Sequence, residues 1–224
     1  MIPFVAALAL AAASPACPAD TSPGALLCRA VEAVDAKQFA EAGGAFEAAA
    51  SASPPTEEKT LRMWAAAGNA WILANNPGRA AAALDKALAT PGLDPAQVGF
   101  AELDRGRAAE MQNDLKTARK FADRAKAHNA DDPFTWYFGA ALSLRENDVA
   151  GAQAAIGQAL KLAPDSAEIQ FEAGHVAAAA GDKAKAKAYW EEAARLDPGG
   201  PFAKDAADAI RLLEPAAPAP TSGK

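Results

Sequence analysis

The sequence is short of aromatic residues, of positive charge and of the residue types that do chemistry. Aromatics make up 7% of its 224 residues, although 51% are hydrophobic. Alanine fills the difference; it is the best helix former, and its small side chain lets helices pack closely. No stretch alternates β-branched residues, so no strand is predicted. Nucleophile elbows, Walker loops, HExxH and zinc-spaced cysteines are all missing, which counts against the common hydrolases, nucleotide enzymes and zinc proteins. The two cysteines, Cys17 and Cys28, lack CxxC spacing, which argues against an oxidoreductase. The two histidines, His128 and His175, lie far apart in the chain and suggest neither a metal site nor a catalytic base. No catalytic residue, metal ligand or cofactor is expected.

Lys and Arg number 22 against 28 Asp and Glu, a net charge of −6. Nucleic-acid affinity comes mainly from cations on phosphates, so a nucleic-acid partner is not expected. The basic spots at Lys116–Lys126 and Lys183–Lys187 read as solvated helix faces. The longest apolar run, Phe4–Ala13, is too short to span a bilayer as a helix. With Ser14 and Ala16 as a small-x-small site, residues 1–16 read as a signal peptide, although no Lys or Arg precedes the apolar core. The mature chain is then exported, with the bacterial periplasm as the expected compartment and no transmembrane segment. There, Cys17 and Cys28 read as one disulfide pinning the short segment 17–22 to the first helix, worth about 3 kcal/mol. The rival reading is an outer-membrane lipoprotein anchored through an acylated Cys17, which would leave Cys28 free.

What the chain does have is a repeat. The stretch Ala167–Pro198 holds two helical segments around Gly181-Asp182 and closes on a proline. Its skeleton returns 34 residues earlier: Ala140 aligns with Gly174, Asp148 with Asp182, Ala159 with Ala193 and Pro164 with Pro198. Another 34 residues back, Gly106, Asp114, Ala118 and Ala125 fall into register. A period of this length means stacked helix pairs, each burying its apolar side on its neighbours. Five units are predicted between Pro23 and Pro198. Asn113, Asn147 and Gly181 are expected in the left-handed conformation that ends each first helix. Asp114, Asp148 and Asp182 are expected to cap the second. Thr56, Asp94 and Asp132 are read as caps of first helices, and Asp165 with Glu168 as a capping box. Residues 201–214 are predicted to form a capping helix with Phe202, Ala206, Ala209, Ile210 and Leu213 on its apolar stripe. Residues 215–224 are expected to be disordered.

The pattern resembles the tetratricopeptide repeat. Trp64, Ala67-Gly68 and Trp71 supply the family's first-helix signature in one unit, and Trp136 with Gly139-Ala140 in another. Ala186, Trp190, Ala193 and Pro198 supply the second-helix signature. The third unit departs, with Glu102 at the aromatic position and Ala130 for the closing proline. The resemblance implies an all-α, right-handed superhelical solenoid of antiparallel helix pairs across 23–214, and a non-enzymatic scaffold for a protein or peptide partner. A groove module for glycans or small molecules, accessory to an envelope enzyme, is the alternative. Helical spacing places a mixed stripe on the inner face: Asn69, Phe100, Arg107, Glu110, Phe134, Tyr137, Arg145, Phe171 and His175. It suits an extended peptide or a helix. The carboxylate clamp known in some tetratricopeptide proteins is not expected. Asn69 matches one clamp position, but Ala65 and Asp104 stand where basic and amide residues belong.

Overall fold

Five tight turns of one design organise the chain. In each, the residue just past the end of a first helix is followed by one at positive φ: Lys37 (57°), Asn75 (54°), Asn113 (61°), Asn147 (59°) and Gly181 (81°). The next amide reaches back five residues to a helix carbonyl, as in Gln38 to Ala33, Asn76 to Trp71 and Asp182 to Ala177. This is the Schellman closure, which satisfies carbonyls a helix end would otherwise orphan. The same residue then starts the second helix. Asn76, Asp114, Asp148 and Asp182 each accept the amide hydrogen three residues on. Lys37 is the exception among the five, because a residue with a long side chain occupies a conformation that Asn or Gly adopts more readily.

The structure, a computed structural model, describes residues 17–213. The signal-peptide expectation (1–16) and the tail (215–224) fall outside them. Among the described residues all regular structure is helical. The pairs are α1 (Pro23–Asp35) with α2 (Phe39–Ser51), α3 (Glu58–Leu73) with α4 (Pro77–Ala87), α5 (Pro95–Met111) with α6 (Leu115–His128), α7 (Pro133–Arg145) with α8 (Val149–Leu162), and α9 (Ala167–Ala179) with α10 (Lys183–Leu196). A last helix, α11 (Pro201–Leu213), follows. No described helix is long and apolar enough to cross a membrane.

Within a pair the helices meet through small residues facing large ones. Gly174 lies so close to the Trp190 ring that a Cβ would sit 2.2 Å from its Nε1, and Gly68 is as tightly covered by Leu84. The second helices bury rows of mostly small residues: Ala80, Leu84 and Ala87 in α4, Ala118, Ala122 and Ala125 in α6, Ala186 and Ala193 in α10. Successive first helices touch one another, α3 on α5, α5 on α7 and α7 on α9, so they form one continuous face. Trp64, Trp71 and Trp190 are buried as packing residues. Trp136 is half-buried and donates its indole N–H to the Ala130 carbonyl at 2.8 Å. At the far end α11 sets Ala206, fully buried, with Ala209, Ile210 and Leu213 against α9 and α10.

Two caps differ from expectation. Glu57, not Thr56, precedes α3 and makes no side-chain cap bond. After Pro54-Pro55 the chain first closes a turn, with the Glu57 amide bonded to the Pro54 carbonyl, and this delays the helix. Ser166, not Asp165, caps α9 through its hydroxyl, because a turn from Ala163 brings its amide round first. Asp94 and Asp132 cap as the spacing predicts, and Asp94 with Gln97 completes a capping box.

Candidate functional site

The face made by the first helices carries the residues of the predicted stripe, and it divides them into three places. The first is a shallow hollow of about 360 Å³ between α3 and α5, lined by Asn69, Phe100 and Asp104 with Ala65 and Leu93. Phe100 is half exposed there (51%), an unusual state for a large apolar ring. The Asn69 amide does not point at an open position: it donates to the Asp104 carboxylate at 2.8 Å. Burial pushes the Asp104 carboxyl up, while the Asn69 amide and the Arg107 guanidinium pull it down. With the amide satisfied and a carboxylate opposite, this hollow offers nothing to a chain-terminal carboxylate.

The second is a deeper cavity of about 510 Å³ across α3, α5, α7 and α9. Its lining includes Arg107, Glu110, Phe134 and Tyr137 from the stripe, over an apolar floor of Ile72, Leu103, Met111 and Leu142. Phe134 stays 43% exposed and meets Tyr137 edge to face, ring centroids 6.3 Å apart. The cations of this region are already engaged. Arg107 pairs with Asp104 at 2.9 Å. Arg145 pairs with Glu110 and also donates to the Asn113 side-chain carbonyl at 2.7 Å.

The third place is not in the groove. Phe171 packs beneath the capping helix, 5.8 Å from the Phe202 ring, and accepts the Trp190 indole N–H on its carbonyl at 3.0 Å. His175 lies edge-on between Phe171 and Trp190, and burial pushes its imidazole below the usual value. Both are drawn out of the stripe because α11 folds back over this end of α9.

Two carboxylates of α9 that the predicted stripe did not include act on this region. Glu168 lines it. Glu172, one turn along α9, lies close enough for its charge to act on Tyr137. Burial, then the charges of Glu168 and Glu172, push the Tyr137 hydroxyl well above the usual phenol range. Burial first and Glu168 second push Glu172 up to about 7. Glu168 lies one turn before Phe171, as Phe134 lies one turn before Tyr137, and Glu172 lies one turn after Glu168, so carrying the stripe one turn back would have reached both.

Elsewhere, Glu102 is wholly buried between α5 and α6, where the repeat pattern calls for an aromatic ring. Its carboxylate pairs with Arg124, and His128 Nε2 approaches to 3.8 Å. Arg105 and Arg124 flank the neighbouring Phe121 ring. At the start of the described residues Cys17 and Cys28 are joined by a disulfide, with Cα atoms 5.7 Å apart. Arg29 ties the same segment down by donating to the Asp20 carbonyl at 2.9 Å.

No family model matches the chain. No curated protein matches it either. Solved structures do. PilW, described as a widely conserved type IV pilus biogenesis factor, superposes with a TM-score of 0.68 at 20% identity, covering 86% of this chain and 83% of that one. TTC0263, a thermophilic tetratricopeptide-repeat protein of Thermus thermophilus, gives 0.64 at 18% identity, with 86% and 100% covered. YrrB, a tetratricopeptide-repeat protein with an unusual peptide-binding site, gives 0.58 at 17% identity, with 82% and 91% covered. Five turn-closed helix pairs with these neighbours have one architecture: the chain has the tetratricopeptide-repeat fold.

Proposed function

We propose that the protein is a non-enzymatic interaction scaffold of the bacterial envelope that holds a peptide or helical segment of a partner on its first-helix face. The observation that carries this reading is the cavity across α3, α5, α7 and α9. Tyr137 and the exposed Phe134 stand over an apolar floor there, with open space where a purely structural surface would be filled by packing. Exposed aromatics beside arginines are the usual anchors of interfaces. The peptide-binding site of YrrB and the role of PilW in pilus biogenesis support the same class of function on this fold. The Cys17–Cys28 bridge supports an oxidising compartment and favours the disulfide reading over an acylated Cys17.

The test is capture from an envelope extract by three forms of the mature protein. Ala141→Arg fills the cavity from its wall, and Lys187→Glu changes the opposite side of the array as a control. The wild type and the control should capture one stoichiometric protein, and the filled variant should not. A folded Ala141→Arg protein that captures it equally well would place the binding surface elsewhere.

A further inference from the structure

The charges around the deep cavity do not balance. Arg107 is matched by Asp104, and Arg145 by Glu110. Glu168 and Glu172 remain, and among the described residues neither forms an ion pair with a cation. They stand one helical turn apart on α9: Glu168 lines the cavity with Tyr137, and Glu172 is near enough for its charge to act on Tyr137. An ordinary solvated face would leave such carboxylates in water. Here one of them is withdrawn far enough to feel mainly burial and its twin. Both are half-buried, and a like-charge pair at that depth is relieved when a positive group shares it. Tyr137 and Phe134 add aromatic faces, which attract cations through their negative π clouds.

We infer that the Tyr137–Glu168–Glu172 side of this cavity receives a lysine or arginine side chain of the partner, whose neighbouring apolar side chain rests on Ile72, Leu103 and Met111. The inference rests on the groove reading above and gives the partner its chemistry: a cationic–apolar segment, not an acidic one. The two arginines of the groove are neutralised within the protein, so they hold no surplus for an acidic peptide. Among the described residues neither glutamate has a cation partner, so a cation entering the cavity meets an anionic site and displaces little ordered structure. The flexible stem of Lys or Arg can lie along the apolar floor while its head reaches the carboxylates.

The direct probe is n-butylguanidinium, with n-butylammonium beside it and butyrate as the anionic control, titrated into the labelled protein and followed by amide NMR. Shifts should concentrate at Tyr137, Glu168 and Glu172, be absent with butyrate, and disappear in Glu168→Gln/Glu172→Gln. The substitution keeps shape and removes charge, so the variant stays folded. Absence of these shifts, or equal shifts with butyrate, overturns the inference. A random dodecapeptide library selected on the wild type separates the two levels of the argument. Selected peptides should be rich in Lys and Arg, lose binding in Ala141→Arg, and weaken about tenfold or more in the double glutamine variant. Peptides blocked by Ala141→Arg but indifferent to the glutamine changes keep the groove and overturn the cation slot. Peptides that bind the filled variant unchanged overturn both.

Discussion

Asn69 on α3 donates its side-chain amide to the Asp104 carboxylate on α5 at 2.8 Å, so two successive first helices are tied across the inner face by one polar bond. Removing the amide leaves a carboxylate that burial already disfavours. Asn69→Ala is expected to cost about 1–3 kcal/mol. The sign of its pH dependence follows from Asp104, whose carboxyl is raised in the folded state. The penalty appears as the group ionises, so the variant should lose more at pH 7 than at pH 4. Thermal melts at the two values check this; an equal loss at both would show that the amide acts through packing alone.

Glu172 carries a second pH dependence. Its folded carboxyl sits at about 7 against an ordinary 4.5. Below the ordinary value both states are protonated and the residue costs nothing. Between the two values the folded chain keeps a proton that the unfolded chain has released, so stability falls as pH rises through this window. Above about 7 both states are ionised and the loss is complete, with the folded carboxylate held beside Glu168. The groups facing it are Glu168 on its own helix and Tyr137 on α7, whose hydroxyl stays protonated throughout. Glu172→Gln should melt a few degrees above the wild type at pH 8 and level with it at pH 4. A constant offset at both would contradict the assignment.

Lys37 should be replaceable with gain. Its φ of 57° suits glycine or asparagine, as the other four turns show. Lys37→Gly is expected to add up to about 1 kcal/mol, the left-handed penalty of a side-chain residue less the backbone entropy of glycine. Chemical denaturation measures it, and a destabilised variant would mean that the Lys37 side chain does something the turn needs.

Deleting the chain from Pro201 onward should expose the α9–α10 edge, including Trp190 and Ala177. Loss of the half-buried Phe202, Ile210 and Leu213 is worth on the order of 3 kcal/mol, or about 6–12 °C in melting temperature for a chain of this size. Sizing should show self-association through the uncovered face. An unaltered, monomeric truncation would mean that α11 is dispensable.

The disulfide should matter for stability and not for the groove. Cys17 and Cys28 are 11 residues apart in sequence, a short loop, so reduction or Cys17→Ser/Cys28→Ser is expected to cost about 2–3 kcal/mol. Mass spectrometry of the exported form should show a two-proton deficit. An acylated Cys17 would instead favour the lipoprotein reading.

The repeat was legible because its signals are local. Asn113, Asn147 and Gly181 announce left-handed turns by their own chemistry, and the following aspartates announce caps. The same is true of much of the inner face, where Phe134 and Tyr137 come together on one helix. Phe171 was not legible in this way. Its place beneath Phe202 depends on where α11 lands, and no spacing within α9 records that. Glu168 and Glu172 were missed for a related reason: a carboxylate on a helix looks solvated until the neighbouring helix is in position. Lys37 hid because nothing in its side chain favours a left-handed turn.

Glu102 has a consequence for how such an array can be rearranged. Among the described residues no other pair encloses a buried carboxylate between its two helices. The third encloses a carboxylate whose counter-cation, Arg124, comes from the other helix of the same pair. Transplanting α5 without α6, or splicing a neighbouring unit's second helix behind it, would strand a buried charge. The third pair must therefore move as a whole, and a chimera cut between α5 and α6 should fail where cuts between units succeed.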